Sequence, residues 1–288
     1  MAYTLERVLI STPNPTAAQQ IAENWVRLLD AQQVGEKSYD ALNASCRTLR
    51  VGCRDLDILS PKDETSPVQH HLSTVGSGPF AAGIGVENLE AFRRHLSTIG
   101  ITPVDGGDHL FLTSDSMGIP GLRLVVTEQA IHEPAGLMKN LYEVTHLTAD
   151  SHRDADEIAR ILNTPREHFV RITSEQYGYD GFLTLFEPNA LDRIETIKPT
   201  DLTKTMGRFF DRFGPSLYMC YGEAEDVGAI RARLRDQAPD DWTGTLEGPN
   251  PDGLFVHPKA LGGVMLGVSR VTHAWTWSGY PERRVPAE

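Results

Sequence analysis

The 288-residue sequence predicts an α+β fold in which four strand–helix–strand–strand–strand units pair into two tandem domains. Three observations carry this expectation. Strand-like alternation and helical periodicity recur in the same order along the chain. Proline, glycine and polar clusters punctuate the segments where turns are needed. Residue matches also return at a constant spacing. Leu56-Asp57-Ile58-Leu59-Ser60-Pro61 matches Ile194-Glu195-Thr196-Ile197-Lys198-Pro199, Gly78-Pro79-Phe80 resembles Gly214-Pro215-Ser216-Leu217-Tyr218, and Gly121-Leu122-Arg123-Leu124 resembles Gly263-Val264-Met265-Leu266. All three are offset by about 140 residues, and one offset shared by three landmarks outweighs any single match.

Residues 5–10 read as a strand of apolar and β-branched residues, broken at Ser11-Thr12-Pro13-Asn14-Pro15. A helix over 16–31 places Ile21, Trp25 and Leu28 or Leu29 on one stripe. Strands follow over 47–51 and 55–59, the second stopping at Pro61. The unit then repeats: strand 80–86, helix 88–99 ended by Gly100, and strands over 102–104, 109–113 and 122–127. Residues 131–141 read as a linker. After it come strand 142–149, helix 154–162, strands 182–186 and 193–197, strand 217–222, helix 226–237, and closing strands 254–257 and 263–269. The expected organisation is a domain over 1–130, the linker, a domain over 142–270 and an aromatic tail over 271–288.

Composition bounds the function. The net charge of −12 argues against nucleic acid and anionic membrane as partners. Cys46, Cys53 and Cys220 are odd in number and lack zinc-type spacing, which favours a reducing, cytoplasmic setting. The N-terminal MAYTLERVLISTPNP has no apolar signal core, and no run approaches the ~18 apolar residues of a membrane span.

The four paired units resemble the vicinal-oxygen-chelate superfamily, which includes glyoxalase I, methylmalonyl-CoA epimerase, extradiol dioxygenases and bleomycin-resistance proteins. Residues 193–199 and the closing segment 255–266 carry the likeness most clearly, and it covers roughly 4–130 and 140–270. The resemblance implies two cups, each with four potential metal-ligand positions, usually His, Glu or Gln. In the first domain these positions read Arg7, Asp57, Phe80 and Val125; in the second they read Glu143, Glu195, Tyr218 and Gly267. A divalent metal wants three or four converging N or O donors. Neither set supplies them, so no metal and no cofactor is expected. A one-residue slip would instead turn His146 inward.

The candidate chemistry lies in the second cup. Glu143 and Glu195 would face each other there, repulsion would raise the pKa of one, and a general acid and base would result. Arg193 shares the strand face of Glu195 and suits an anionic substrate, or simply pairs with a carboxylate. Tyr218 would donate to an oxyanion, or line the wall. Cys220 follows on the same face, as a small buried residue rather than a nucleophile. His70-His71 reads as exposed, and Arg7 with Asp57 as an internal ion pair of a support domain. The tail, with His273, Trp275, Trp277 and Tyr280, suggests a lid or an interface; the interface alternative would make the chain a homo-oligomer. Met265 and Ser269 complete the expected substrate contacts with Arg193, Cys220, His273 and Trp275.

The leading expectation is an acid–base lyase, isomerase or hydrolase-like enzyme for a small, partly hydrophobic or aromatic substrate. Glu195, Glu143 and Tyr218 would be its catalytic residues. The alternatives are a non-catalytic small-molecule binder of the bleomycin-resistance type, and an atypical metal-dependent dioxygenase of the extradiol type.

Overall fold

The computed structural model describes residues 2–286. Its elements follow the repeat. β1 (Tyr3–Ser11), α1 (Pro15–Leu29), β2 (Gln32–Tyr39), β3 (Ala44–Val51) and β4 (Arg54–Pro61) form the first unit, and α2 (Pro67–Thr74) leads out of it. The second has β5 (Gly78–Val86), α3 (Leu89–Thr98), β6 (Val104–Asp105), β7 (His109–Leu112), the short α4 (Ser114–Met117) and β8 (Leu124–Glu128). The third has β9 (Asn140–Leu147), α5 (Ser151–Leu162), β10 (Val170–Ser174), β11 (Tyr179–Leu185) and β12 (Arg193–Pro199), followed by α6 (Thr205–Phe213). The fourth has β13 (Ser216–Ala224), α7 (Val227–Gln237), β14 (Trp242–Gly244), β15 (Gly253–Val256) and β16 (Met265–Arg270).

The strands make two eight-stranded sheets with the same order: β2-β3-β4-β1-β5-β8-β7-β6 and β10-β11-β12-β9-β13-β16-β15-β14. The first strand of each unit pairs in parallel with the last, and the outer strands of each sheet pair antiparallel. The ladders also repeat in register. Arg7 pairs with Asp55 as Glu143 pairs with Arg193, and Ala82 pairs with Leu124 as Cys220 pairs with Leu266. Asp57 and Glu195 therefore occupy equivalent places on β4 and β12, and Phe80 and Tyr218 on β5 and β13.

Local chemistry explains the boundaries. Asn14, Asn88, Asp150 and Asp226 each accept a hydrogen bond from a backbone N–H three residues on, capping α1, α3, α5 and α7. Helix α1 buries Ile21, Ala22, Trp25, Leu28 and Leu29, the stripe that its periodicity predicts. Pro61 and Pro199 end β4 and β12, where no further ladder donor is needed.

The described residues fall into two compact units, neither of which is a continuous stretch of chain. One comprises residues up to Glu6, Ala81–Ala130 and Glu143–Tyr218; the other comprises Arg7–Phe80, Ile131–Tyr142 and Met219 onward. Among the described residues, no helix is long and apolar enough to cross a membrane. Cys46, Cys53 and Cys220 are all free thiols. His71 corrects an expectation: it is buried rather than exposed, edge-on to Phe80 with ring centroids 5.5 Å apart, because its segment forms the helix α2 and not a loop.

Candidate functional site

The parallel ladder of β9 and β12 pairs Glu143 with Arg193 and Thr145 with Glu195. Laterally paired residues point to one face, and so do residues two apart on a strand, so these four side chains converge. Arg193 Nε donates to Glu143 Oε2 at 2.5 Å, with both groups buried. Thr145 Oγ1 donates to Glu195 Oε2 at 2.6 Å. Burial raises the Glu195 pKa and the Glu143 charge adds to it. The Thr145 hydrogen bond and Arg193 oppose both, and the outcome is about 8. Tyr179, on β11, lies on the same face by alternation from Leu183, the lateral partner of Glu195. Burial raises its phenol well above the ordinary value, and Glu195 and Glu143 raise it further, so it remains a proton donor.

Sequence reasoning missed Thr145 and Tyr179. Thr145 was within reach, since it stands two residues beyond Glu143 and so on the same face. His146 points the other way. Its Nε2 lies 2.8 Å from the Pro120 carbonyl, which can only accept, so Nε2 carries the proton and Nδ1 accepts from Thr196 Oγ1 at 2.9 Å. Burial lowers its pKa, and the ring stays neutral.

The first domain repeats the arrangement with the charges exchanged between strands. Arg7 stands where the second domain has Glu143, and Asp55 where it has Arg193. Asp57, the counterpart of Glu195, accepts from Arg7 Nη1 at 3.0 Å, Tyr39 Oη at 2.5 Å and Thr48 Oγ1 at 2.6 Å, with Lys37 Nζ at 3.1 Å. Burial alone would raise its pKa. Arg7, then Lys37, Thr48 and Tyr39 outweigh burial and hold it at about 2. The expected Arg7–Asp57 ion pair is present.

The remaining expected site residues do not form one cluster. Tyr218 is half-buried and meets Phe209 of α6 edge-on at 5.0 Å, and burial raises its pKa. Cys220 is buried on the same side of β13 as Tyr218. Met265 and Ser269 lie on the opposite side, because the ladder pairs Met219 with Met265 and Glu223 with Ser269. Their grouping with Cys220 is therefore corrected. Ser269 Oγ lies 3.2 Å from the Tyr142 hydroxyl. Gly267 belongs to this second side, where the Tyr221 ring fills the place a Cβ would take. In the tail, His273 lies 3.4 Å from Asp252 and edge-on to Trp277, and burial lowers its pKa. Trp275 packs within the tail itself, against Tyr280 and beneath the Arg283 guanidinium.

A metal does not suit these faces. The same alternation puts Phe80 and Val125 on opposite faces, as it does Tyr218 and Gly267. A one-residue shift on the last strand offers only Leu124 or Leu266, which have no donor atom. A buried arginine stands among the carboxylates of each domain and repels a divalent cation. Among the described residues, no three His, Cys, Asp or Glu side chains are grouped to hold a metal ion.

No family model matches the chain, and no curated protein sequence matches it. Solved structures do. A triple mutant of 4-hydroxymandelate synthase from Streptomyces coelicolor superposes with a TM-score of 0.67 at 12% identity, over 94% of this chain and 93% of that one. A fusion of a xylose isomerase-like TIM barrel with 4-hydroxyphenylpyruvate dioxygenase gives 0.59 at 10% identity, over 94% of this chain and 49% of the fusion. At such identities the likeness is one of fold. The chain has the vicinal-oxygen-chelate fold, in two tandem domains.

Proposed function

We propose that the second domain is an acid–base enzyme that moves a proton on a small carbonyl compound, as an isomerase or lyase does. The observation that carries this is the buried pair of carboxyls on one face of β9 and β12: Glu143 is committed to Arg193, while Glu195 has only the Thr145 hydroxyl, and burial with the Glu143 charge pushes its pKa up to about 8. A proton carrier works best when its pKa lies near the working pH. Glu195 would take and return the proton. Glu143, held by Arg193, would set the charge that tunes Glu195 rather than exchange protons itself. Tyr179 or Tyr218, whose phenols are both raised, would donate to an enolate oxygen.

One structural neighbour carries a dioxygenase in its name, but the donor set of these faces does not favour that chemistry. The experiment is hydrogen exchange in D₂O, followed by proton NMR over a panel of small 2-oxo acids, hydroxyketones and 1,3-dicarbonyls. Wild-type protein should catalyse C–H exchange on at least one of them. Glu195→Gln should lower that rate by about 10²–10⁴-fold with its fold intact. Saturable binding of a panel member without exchange would replace the enzyme with a sequestering protein. Equal exchange by wild type and variant would remove Glu195 from the chemistry.

A further inference from the structure

The first domain holds a cation that its protein partners use on one side only. Arg7 is more than nine-tenths buried. Its Nη1 donates to Asp57 Oδ2 at 3.0 Å and to the Tyr39 hydroxyl at 3.2 Å, and lies 3.8 Å from Asp55 Oδ2. Its Nε is buried and has no hydrogen-bond partner among the described residues, and Nη2 makes no hydrogen bond to them. Nε and Nη2 form one edge of the guanidinium plane, with two parallel N–H bonds at the spacing of a carboxylate's two oxygens. Leaving a buried N–H of a charged group unmet is costly, so such an edge is normally filled.

The fold does not dictate this one-sided use of the arginine. Arg193, in the equivalent ion pair of the second domain, directs its Nε onto Glu143. Charge in the first domain also favours an anion. Lys37 Nζ lies 3.1 Å from Asp57 Oδ2, and Arg50 Nε lies 2.7 Å from Asp55 Oδ1. Three cations thus face two carboxylates. Lys37 keeps over a third of its side chain exposed, which opens the cluster to solvent at the β2 edge.

The geometry points to a second ligand site in the first domain: a small organic carboxylate, gripped by the Nε–Nη2 edge of Arg7, with Lys37 as the outer cation. A neutral or cationic compound would leave the charge unbalanced. A single-atom anion such as chloride can sit between the two N–H groups but offers one acceptor atom, whereas a carboxylate offers an oxygen to each. This site is independent of proton transfer at Glu195, and the first domain becomes a binding domain rather than a support.

The test uses the full chain labelled with ¹⁵N-arginine. Acetate, succinate and benzoate are titrated separately, with sodium chloride at matched ionic strength as the control. The Arg7 Nε–H signal, identified by its absence from Arg7→Lys, should move and saturate with at least one carboxylate and not with chloride. Ligand-observed saturation transfer should show binding weakened at least about tenfold in Arg7→Lys, which keeps the charge and loses the fork. Lys37→Met, a surface change outside the packed core, should weaken it several-fold and serves as the deciding variant if Arg7→Lys does not fold. No saturable shift with any of the three carboxylates would overturn the site, leaving a bridging water as the Nε partner. So would an equal shift with chloride, or an affinity unchanged in Lys37→Met.

Discussion

Asp57 and Glu195 are one position read in two electrostatic settings. Asp57 gathers four donors, two of them cationic, whereas Glu195 gathers one hydroxyl and faces Glu143. The consequences for stability are opposite in sign. The folded Glu195 pKa of about 8 exceeds its ordinary value of 4.5, so the native state binds the extra proton between them. Stability from this group is full below the lower value and is lost as pH rises through the upper one. The loss is at most about 1.4 kcal/mol for each tenfold difference in proton affinity between the folded and unfolded carboxyl. Urea titrations from acid to mildly alkaline pH should show wild type losing stability relative to Glu195→Gln across that window; parallel curves would contradict the raised pKa. The folded Asp57 pKa of about 2 lies below its ordinary 3.8, so its contribution is present above that value and is lost as pH falls through the folded one. At neutral pH, Asp57→Asn leaves Arg7 and Lys37 without their shared carboxylate and should cost about 3–5 kcal/mol in the same titration.

Among the elements, Gly267 gives the sharpest packing prediction. A Cβ there would come within 2.2 Å of the Tyr221 ring. Tyr221 is held in turn by Tyr142, Phe255 and Trp277, with centroids 6.2, 5.7 and 6.3 Å away. Gly267→Ala must displace a ring fixed on several sides and should destabilise by about 1–3 kcal/mol, seen as a lower melting temperature. The sequence made strands legible where both faces are buried and the run is apolar or β-branched, as at β1, β4 and β12. It hid β2, whose QQVGEKSY is exposed at every position but the last and shows no alternation of polarity. It hid α6 as well. Met206, Phe209, Phe210 and Phe213 have helical spacing, but Gly207 interrupts the run and Lys204 supplies no capping side chain. The carboxylate–arginine rung was readable because the repeat aligns Asp57 with Glu195. The side taken by Met265 and Ser269 was not, because the face of a last strand depends on its register with β13, and no residue pattern in 263–269 fixes that register.

At the scale of the molecule, neither compact unit is encoded by half of the chain. In the first, His146 of β9 donates to the Pro120 carbonyl, His95 Nε2 lies 3.0 Å from the Ile161 carbonyl, and the Asp192 carboxylate accepts from the Leu5 N–H at 2.7 Å. In the second, Arg27 reaches the Gln237 carbonyl at 3.0 Å. The Gly78 backbone runs so close to Gly263 that a Cβ would stand 2.9 Å from its oxygen. A chain cut in the 131–141 linker would leave each half with its own complete sheet but with these buried or backbone-matched surfaces open to water. Hydrogen-bond groups such as the Leu5 N–H and the His146 imidazole would lose their partners, at about 1–3 kcal/mol each. The apolar surface around them would favour association with other chains. Residues 1–135 and 136–288 expressed separately should therefore be aggregated or lack cooperative thermal unfolding. Co-expressed, they should purify as a 1:1 complex with a single melting transition. Two separately soluble halves, each unfolding cooperatively near the melting temperature of the whole, would instead show that each sheet folds without the other half of the chain.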